Sequence, residues 1–178
     1  DEFKKVNKKN LNFDNFFVYN KYYKEKFGKF IKSKFHLLGN IKNNFVSIDN
    51  SKFNNHFLYI SAYRKNNKKR MKLEKKILGL INLYLSSTNR QLHILTRSKN
   101  YFEQREEIEY FKKIYKSSCV FPKTNRWDET YKIIDRYENI IFIFSSFGYE
   151  AIAREKKVVI FPTKTENHLN QYVILNAL

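Results

Sequence analysis

From residue 56 onward, apolar runs alternate with helix-like segments, and this alternation constrains the fold more than any other feature. The apolar runs predict strands at 56–61, 91–96, 119–121, 139–144 and 158–161. The segments between them have an apolar face and predict helices at 71–85, 103–115, 127–137 and 147–154. This alternation is typical of a doubly wound α/β domain with a mostly parallel sheet. We therefore predict a Rossmann-like fold.

Polar and basic residues follow the predicted strands. Right-handed crossovers place the carboxyl ends of parallel strands at one edge of the sheet, where open α/β sheets bind their ligands. Arg64 and Arg97 are candidates for pairing with phosphates or a sugar carboxylate, because a guanidinium contacts either group through two hydrogen bonds. The alternative is that each arginine pairs with a surface acid. The residues expected at this edge are Arg64, Arg97, Lys123, Thr124, Ser145, Ser146 and Thr163.

The turn after the fourth apolar run has the composition of an anion site. Ser145, Ser146 and Gly148 provide hydroxyls, backbone N–H groups and one position without a Cβ, at the start of a predicted helix. Such a helix N-terminus attracts anions through its unpaired N–H groups and partial positive charge. Glu150, in the first turn, suits hydrogen bonding to vicinal hydroxyls. The alternative is an ordinary helix cap with a favourably placed acid.

The same turn resembles a known family signature. Ser-Ser-Phe-Gly-Tyr-Glu-Ala-Ile-Ala-Arg at 145–154, followed by Lys157-Val158-Val159, is similar to the S-T-L-G-Y-E-A-L-A-R-G-K-K-V pattern of GT-B glycosyltransferases of bacterial surface polysaccharide and lipopolysaccharide biosynthesis. Phe147 and Glu155 depart from that pattern. The cluster of Gly39, Asn40, Asn43 and Asn44 is similar to a second, shorter element of the family, although by itself such a cluster predicts only a turn.

The resemblance implies that residues 37–178 form the C-terminal, nucleotide-sugar-binding half of a GT-B fold. It implies that Ser145, Ser146 and Gly148 lie against the phosphates of a nucleotide-sugar donor and that Glu150 binds the ribose. The other expected partner is a glycan or glycolipid acceptor, and we expect no cofactor and no metal. Catalytic groups in this family usually belong to the other half, so this chain is expected to be an incomplete enzyme, and its catalytic residue stays unknown. A sugar-nucleotide epimerase-like domain is a further alternative.

Residues 1–36 do not follow the alternating pattern. Their aromatic residues recur at no single period, and part of the segment, Asn15–Lys32, has the character of an amphipathic helix. We expect an N-terminal helical extension or the tail of a preceding domain. The first residues carry neither an initiator methionine nor the apolar core of a signal peptide, so we expect the chain to begin inside a longer protein.

The chain has a formal net charge of +18, which raises the question of a polyanionic partner. Lysine and asparagine dominate the polar positions throughout, so compositional drift explains much of this charge. The dense block Lys65–Lys76 contains one acid, Glu74, and suits either a solvated helix or an anionic membrane surface. We do not expect nucleic-acid binding, although the alternative function is a basic, non-enzymatic α/β module that binds nucleic acid or an anionic membrane.

The remaining motifs exclude several classes of protein. No glycine-rich Walker or dinucleotide fingerprint is present, and the four histidines lack metal-ligand spacing. The single cysteine, Cys119, has no partner for an internal disulfide. With no apolar run long enough to span a bilayer, we expect a cytoplasmic protein, peripherally bound to the inner membrane if Lys65–Lys76 contacts lipid.

Overall fold

A computed structural model describes residues 11–49, 54–98, 100–115, 119–122 and 126–161 of the 178-residue chain. The chain divides into two compact units between Ser47 and Ile48. Each unit is described by itself. Of the residues expected at the carboxyl edge, Lys123, Thr124 and Thr163 lie outside the described ranges.

The first unit contains a small parallel sheet. Its elements are β1 (Asn12–Val18), α1 (Lys21–Phe27), β2 (Lys32–Leu37) and α2 (Ile41–Phe45). The two strands pair in parallel, with Val18 opposite Leu37, and α1 connects them.

The expected helical extension is therefore wrong for most of Asn15–Lys32, because only Lys21–Phe27 is α-helical. The Asn20 side chain accepts a hydrogen bond from the Tyr23 N–H and begins α1 after the strand has ended. The Phe16 ring lies 5.8 Å from the Phe27 ring and 5.6 Å from the Phe35 ring, measured between centroids. Aromatic side chains from strands and helix share one cluster, and this explains why the sequence shows no single period.

Of the Gly39–Asn44 cluster in the first unit, Gly39 and Asn40 form a turn, whereas Asn43 and Asn44 belong to α2. Gly39 has a positive φ of 70°, which favours glycine, and the Asn40 side chain caps α2 by accepting the Asn43 N–H at 3.3 Å. The domain boundary expected between residues 36 and 37 falls inside β2.

The second unit has the predicted doubly wound topology. Its elements are β3 (Asn54–Ile60), α3 (Lys68–Ser86), β4 (Leu92–Leu95), α4 (Tyr101–Ile114), α5 (Trp127–Asp135), β5 (Tyr137–Phe142), α6 (Ser146–Ala153) and β6 (Lys157–Ile160). The strands are parallel in the order β4-β3-β5-β6. The run expected as a strand at 119–121 contributes one parallel bridge, between Val120 and His93, on the outer side of β4. This order is that of a Rossmann fold, and the predicted class is confirmed.

The core lies on both faces of the sheet. On one face, Ile77, Leu78 and Ile81 of α3 pack with Phe111 of α4 against the strands. On the other, Ile134 of α5 and Ala151 of α6 pack against Ile140 and Phe142 of β5, among others. Within the described ranges, no helix has the length and apolar character needed to cross a bilayer.

Candidate ligand-binding edge of the sheet

The connections reverse direction between β3 and β5. From β3 the chain crosses through α3 to β4 on one side, whereas from β5 it crosses through α6 to β6 on the other. In open α/β sheets the crevice at the carboxyl ends of two such strands is the usual ligand site. Here it is bordered by the segment after β3, which includes Arg64, and by the turn after β5, which includes Ser145.

Arg70 connects the two sides of this crevice. It lies in the first turn of α3, and its Nη2 donates a hydrogen bond to the Phe144 carbonyl oxygen at 3.3 Å. Its guanidinium lies over the Phe144 ring, 3.9 Å from the centroid. The turn that begins α6 is therefore attached to the start of α3. Because Arg70 lies among lysines in the sequence, its contact with Phe144 could not be predicted from the charge pattern.

Ser145 is the N-cap residue of α6, and its hydroxyl makes no capping hydrogen bond. Its backbone is extended, with φ −159° and ψ 132°. Ser146 is the first helical residue and is exposed. The first-turn N–H groups of α6 are therefore not occupied by the cap side chain, as the anion-site interpretation requires.

Gly148 faces the sheet rather than the crevice. It is buried, and a Cβ at this position would lie 2.3 Å from two carbon atoms of the Phe142 ring. The absence of a side chain thus allows α6 to approach β5 closely. This packing explains why position 148 is a glycine without involving a phosphate. Contact between Gly148 and a donor stays a prediction.

Glu150 is half-buried and is held by one neighbour. The Tyr131 hydroxyl, on α5, donates a hydrogen bond to Glu150 Oε2. Burial raises the pKa of Tyr131, and the adjacent Glu150 carboxylate raises it further, so the phenol stays a donor at neutral pH. Glu150 Oε1 makes no hydrogen bond with the described part of the chain. Tyr131 therefore fixes one carboxylate oxygen of Glu150.

Arg154, the arginine of the quoted signature, is buried at the opposite end of α6. Its Nε donates to Asp135 Oδ1 at 2.6 Å, and its Nη2 donates to Asp135 Oδ2. The sequence pattern did not indicate this role for either residue. They are 19 positions apart, and no local spacing signals such a pair.

Arg64 and Arg97 follow neighbouring strands and are both exposed. Neither guanidinium makes an ion pair or hydrogen bond with the residues that the structure describes. The charge of Arg97 nevertheless acts on Glu107, whose pKa it lowers, so the alternative in which each arginine pairs with an acid stays open. Within the described ranges, no hydrogen bond or ion pair joins either side chain to α6. Their role in binding a phosphorylated ligand stays a prediction.

Two buried carboxylates that the sequence did not reveal hold the segments carrying these arginines. Glu74 Oε1 accepts hydrogen bonds from the Tyr59 hydroxyl at 2.7 Å and from the Ala62 N–H at 2.8 Å. Glu107 accepts the N–H groups of Arg97 and Ser98 at 3.0 to 3.2 Å. Burial raises the pKa of both acids, that of Glu74 to about 7. Each loop of the edge is thereby anchored by an acid from the following helix.

The fold and this edge define a doubly wound, Rossmann-like α/β domain in which a helix begins at the switch point and its cap hydroxyl makes no capping hydrogen bond. A family model described as "putative O-antigen biosynthesis protein" matches residues 1–172, and the chain belongs to that family. No curated protein matches it.

The solved structures that are similar to the chain include the following two. The first is a chain of the Glycosylation Associate Protein (Gap123) complex from Streptococcus agalactiae, with a TM-score of 0.60, 10% sequence identity, and coverage of 86% of this chain and 33% of that one. The second is the pneumococcal O-GlcNAc transferase GtfA in complex with UDP and GlcNAc, with a TM-score of 0.44, 15% identity, and coverage of 83% and 30%. The first similarity supports the fold, and the second carries no conclusion. The chain spans about a third of the length of both.

Proposed function

We propose that this chain is the donor-binding half of a GT-B glycosyltransferase that acts in O-antigen or related surface polysaccharide biosynthesis. Membership of an O-antigen biosynthesis family supports the pathway, and the Rossmann-like sheet supports the kind of domain. The nucleotide-sugar donor is its substrate, and the acceptor is a glycan or glycolipid. We assign donor binding to this chain and name no catalytic residue.

One observation carries this proposal. At the switch point, α6 begins with a cap serine whose hydroxyl is unused in capping, and it places a half-buried glutamate one turn further on. The N–H groups and hydroxyls of Ser145 and Ser146 suit the donor phosphates. Glu150, positioned by Tyr131, suits the ribose hydroxyls. A helix N-terminus and nearby arginines stabilise negative charge on a leaving phosphate without a metal ion.

The proposal is tested by thermal unfolding of the chain with CMP, UDP, GDP and ADP in turn. A nucleotide at a hundred times its dissociation constant stabilises the fold by about 2.7 kcal/mol, a shift of several degrees. We expect one nucleotide to stabilise the wild type and Glu150→Ala to lose that shift.

The matched control is Glu138→Ala, which removes the same charge from β5, beside Lys157, outside the carboxyl edge. It should keep the full nucleotide shift. Absence of a shift with every nucleotide, or a shift that survives Glu150→Ala, would remove the donor-binding role. Nucleotide binding to Ser145, Ser146 and Glu150 without glycosyl transfer in any longer form of the protein would favour the epimerase-like alternative.

A further inference from the structure

The outward face of α3 combines lysines with apolar side chains. Lys72 and Lys76 occupy the first half of this face, Lys75 lies at one flank, and all three are exposed. Leu80 and Leu83 continue it at helical spacing and are 53% and 70% exposed. Tyr84, 58% exposed, lies at its flank. The inward side of the same helix already fills the core with other residues, so these leucines are not needed for packing of the sheet.

No acid offsets the lysines of this face. Glu74 is the one acid of Lys65–Lys76, and it is fully buried, with its carboxylate bonded to Tyr59 and Ala62. Lys65, at the start of the block, pairs with Glu106 at 2.8 Å. Lys72, Lys75 and Lys76 make no ion pair with any residue that the structure describes. The fold therefore turns the one acid of the block inward and leaves Lys72, Lys75 and Lys76 exposed on α3.

We propose that this face of α3, comprising Lys72, Lys76, Leu80 and Leu83 with Lys75 and Tyr84 at its two opposite flanks, binds the surface of an anionic lipid bilayer. The lysines are complementary to anionic head groups. The leucines and the tyrosine enter the boundary between head groups and acyl chains, as in interfacial amphipathic helices. A nucleic acid satisfies the lysines but offers no comparable apolar layer to the leucines. The interaction is independent of donor binding, because α6 and Glu150 take no part in it.

Co-sedimentation with vesicles tests the proposal. Wild-type chain is mixed with vesicles of phosphatidylcholine alone, or of equal parts of phosphatidylcholine and phosphatidylglycerol, at low and at physiological salt. We expect binding to the anionic vesicles and little to the neutral ones. Lys72→Gln with Lys76→Gln should weaken that binding roughly tenfold or more, and Leu80→Ser with Leu83→Ser should weaken it roughly tenfold.

Two matched variants control for lost charge and for added polarity. Lys132→Gln with Lys157→Gln removes the same two charges from α5 and β6, and Ile152→Ser changes an exposed apolar residue of α6, on the other face of the sheet. Both should bind anionic vesicles like the wild type, and all variants should keep the wild-type circular dichroism spectrum.

Three results would overturn the proposal. The first is equal loss of vesicle binding in the control and α3 variants, and the second is no binding to anionic vesicles at all. The third is a different occupant of the face. One such result is that the chain binds duplex DNA and no vesicles, and that Lys72→Gln with Lys76→Gln abolishes the DNA binding. The other is that the chain forms a dimer in solution, which Leu80→Ser with Leu83→Ser dissociates.

Discussion

Arg154 and Asp135 form a buried, bidentate ion pair that anchors α6 to the end of α5. Their side chains are 1% and 0% exposed. Asp135 Oδ2 also accepts the Asp49 N–H at 3.2 Å, and Lys156 Nζ donates to the Asp135 carbonyl oxygen at 2.9 Å. Because α6 carries Ser145, Ser146 and Glu150, this pair sets the direction in which the helix presents them.

Removal of one member of this pair should be strongly destabilising. Arg154→Met leaves Asp135 buried without its ionic partner, and we expect the free energy of unfolding to fall by about 3–5 kcal/mol. Urea denaturation measures the loss. Lys157→Met, which breaks the exposed pair with Glu138 at 2.8 Å, is the control and should cost less than about 1 kcal/mol. Equal losses in the two variants would contradict a structural role for the buried pair.

Gly148→Ala should destabilise the fold because the added methyl group would overlap the Phe142 ring. We expect a loss of about 1–3 kcal/mol, the usual cost of overpacking a core. Gly79→Ala is the matched control, since a Cβ there meets no atom within 4 Å and Gly79 lies within α3. That variant should be more stable than the wild type by about 1 kcal/mol. Thermal unfolding compares the two, and a neutral Gly148→Ala would show that Phe142 moves aside.

The buried carboxyl of Glu74 should make stability depend on pH. Burial raises its pKa from 4.5 to about 7, although hydrogen bonds from Tyr59 and Ala62 oppose the shift. Between these two values the folded chain holds a proton that the unfolded chain releases, so stability falls as pH rises through this window and levels off above pH 7. We expect a fall on the order of 1–3 kcal/mol.

The measurement is urea unfolding of wild type and Glu74→Gln from pH 4.5 to pH 8. Burial lowers the pKa of His93, which acts in the opposite direction, so the difference between the two curves is the informative quantity. That difference should change across the window and flatten above it. The exposed Glu109, beside Arg105, provides the control as Glu109→Gln, which should leave the curve parallel to wild type. A parallel curve for Glu74→Gln would show that Glu74 is ionised throughout.

Glu107 should protect the loop after β4 from local opening. Its two oxygens accept the N–H groups of Arg97 and Ser98, and glutamine retains one acceptor oxygen in place of two. In Glu107→Gln we expect the amides of Arg97 and Ser98 to exchange with solvent roughly tenfold faster. Hydrogen exchange read by NMR measures this. Glu106→Gln, which affects the exposed partner of Lys65, should leave both rates unchanged, and unchanged rates in Glu107→Gln would refute the anchoring role.

The sequence by itself determined the fold class and the location of the candidate edge. Strands buried on both faces read as continuous apolar runs, and helices that cover a sheet carry an apolar stripe, so both patterns are local. The position of Ser145, Ser146 and Gly148 at the start of α6 followed from the same local order, whereas Glu150, expected in the first turn, is the fifth residue of the helix. Periodicity failed in the first unit, where half-buried aromatic residues of β1, α1 and β2 share one cluster.

Only the tertiary structure decided which side chains support that edge. The partners in Arg154–Asp135, Tyr131–Glu150 and Glu107–Arg97 are 10 to 19 positions apart and lie on different elements, so their contact depends on how helices pack on the sheet. Packing also turned Glu74 inward and left Lys72, Lys75 and Lys76 outside. The charge block in the sequence contains both an acid and lysines, and burial separates them. A carboxyl group that accepts two hydrogen bonds, as that of Glu74 does, tolerates the interior. Ammonium groups without an ionic partner require a polar surface.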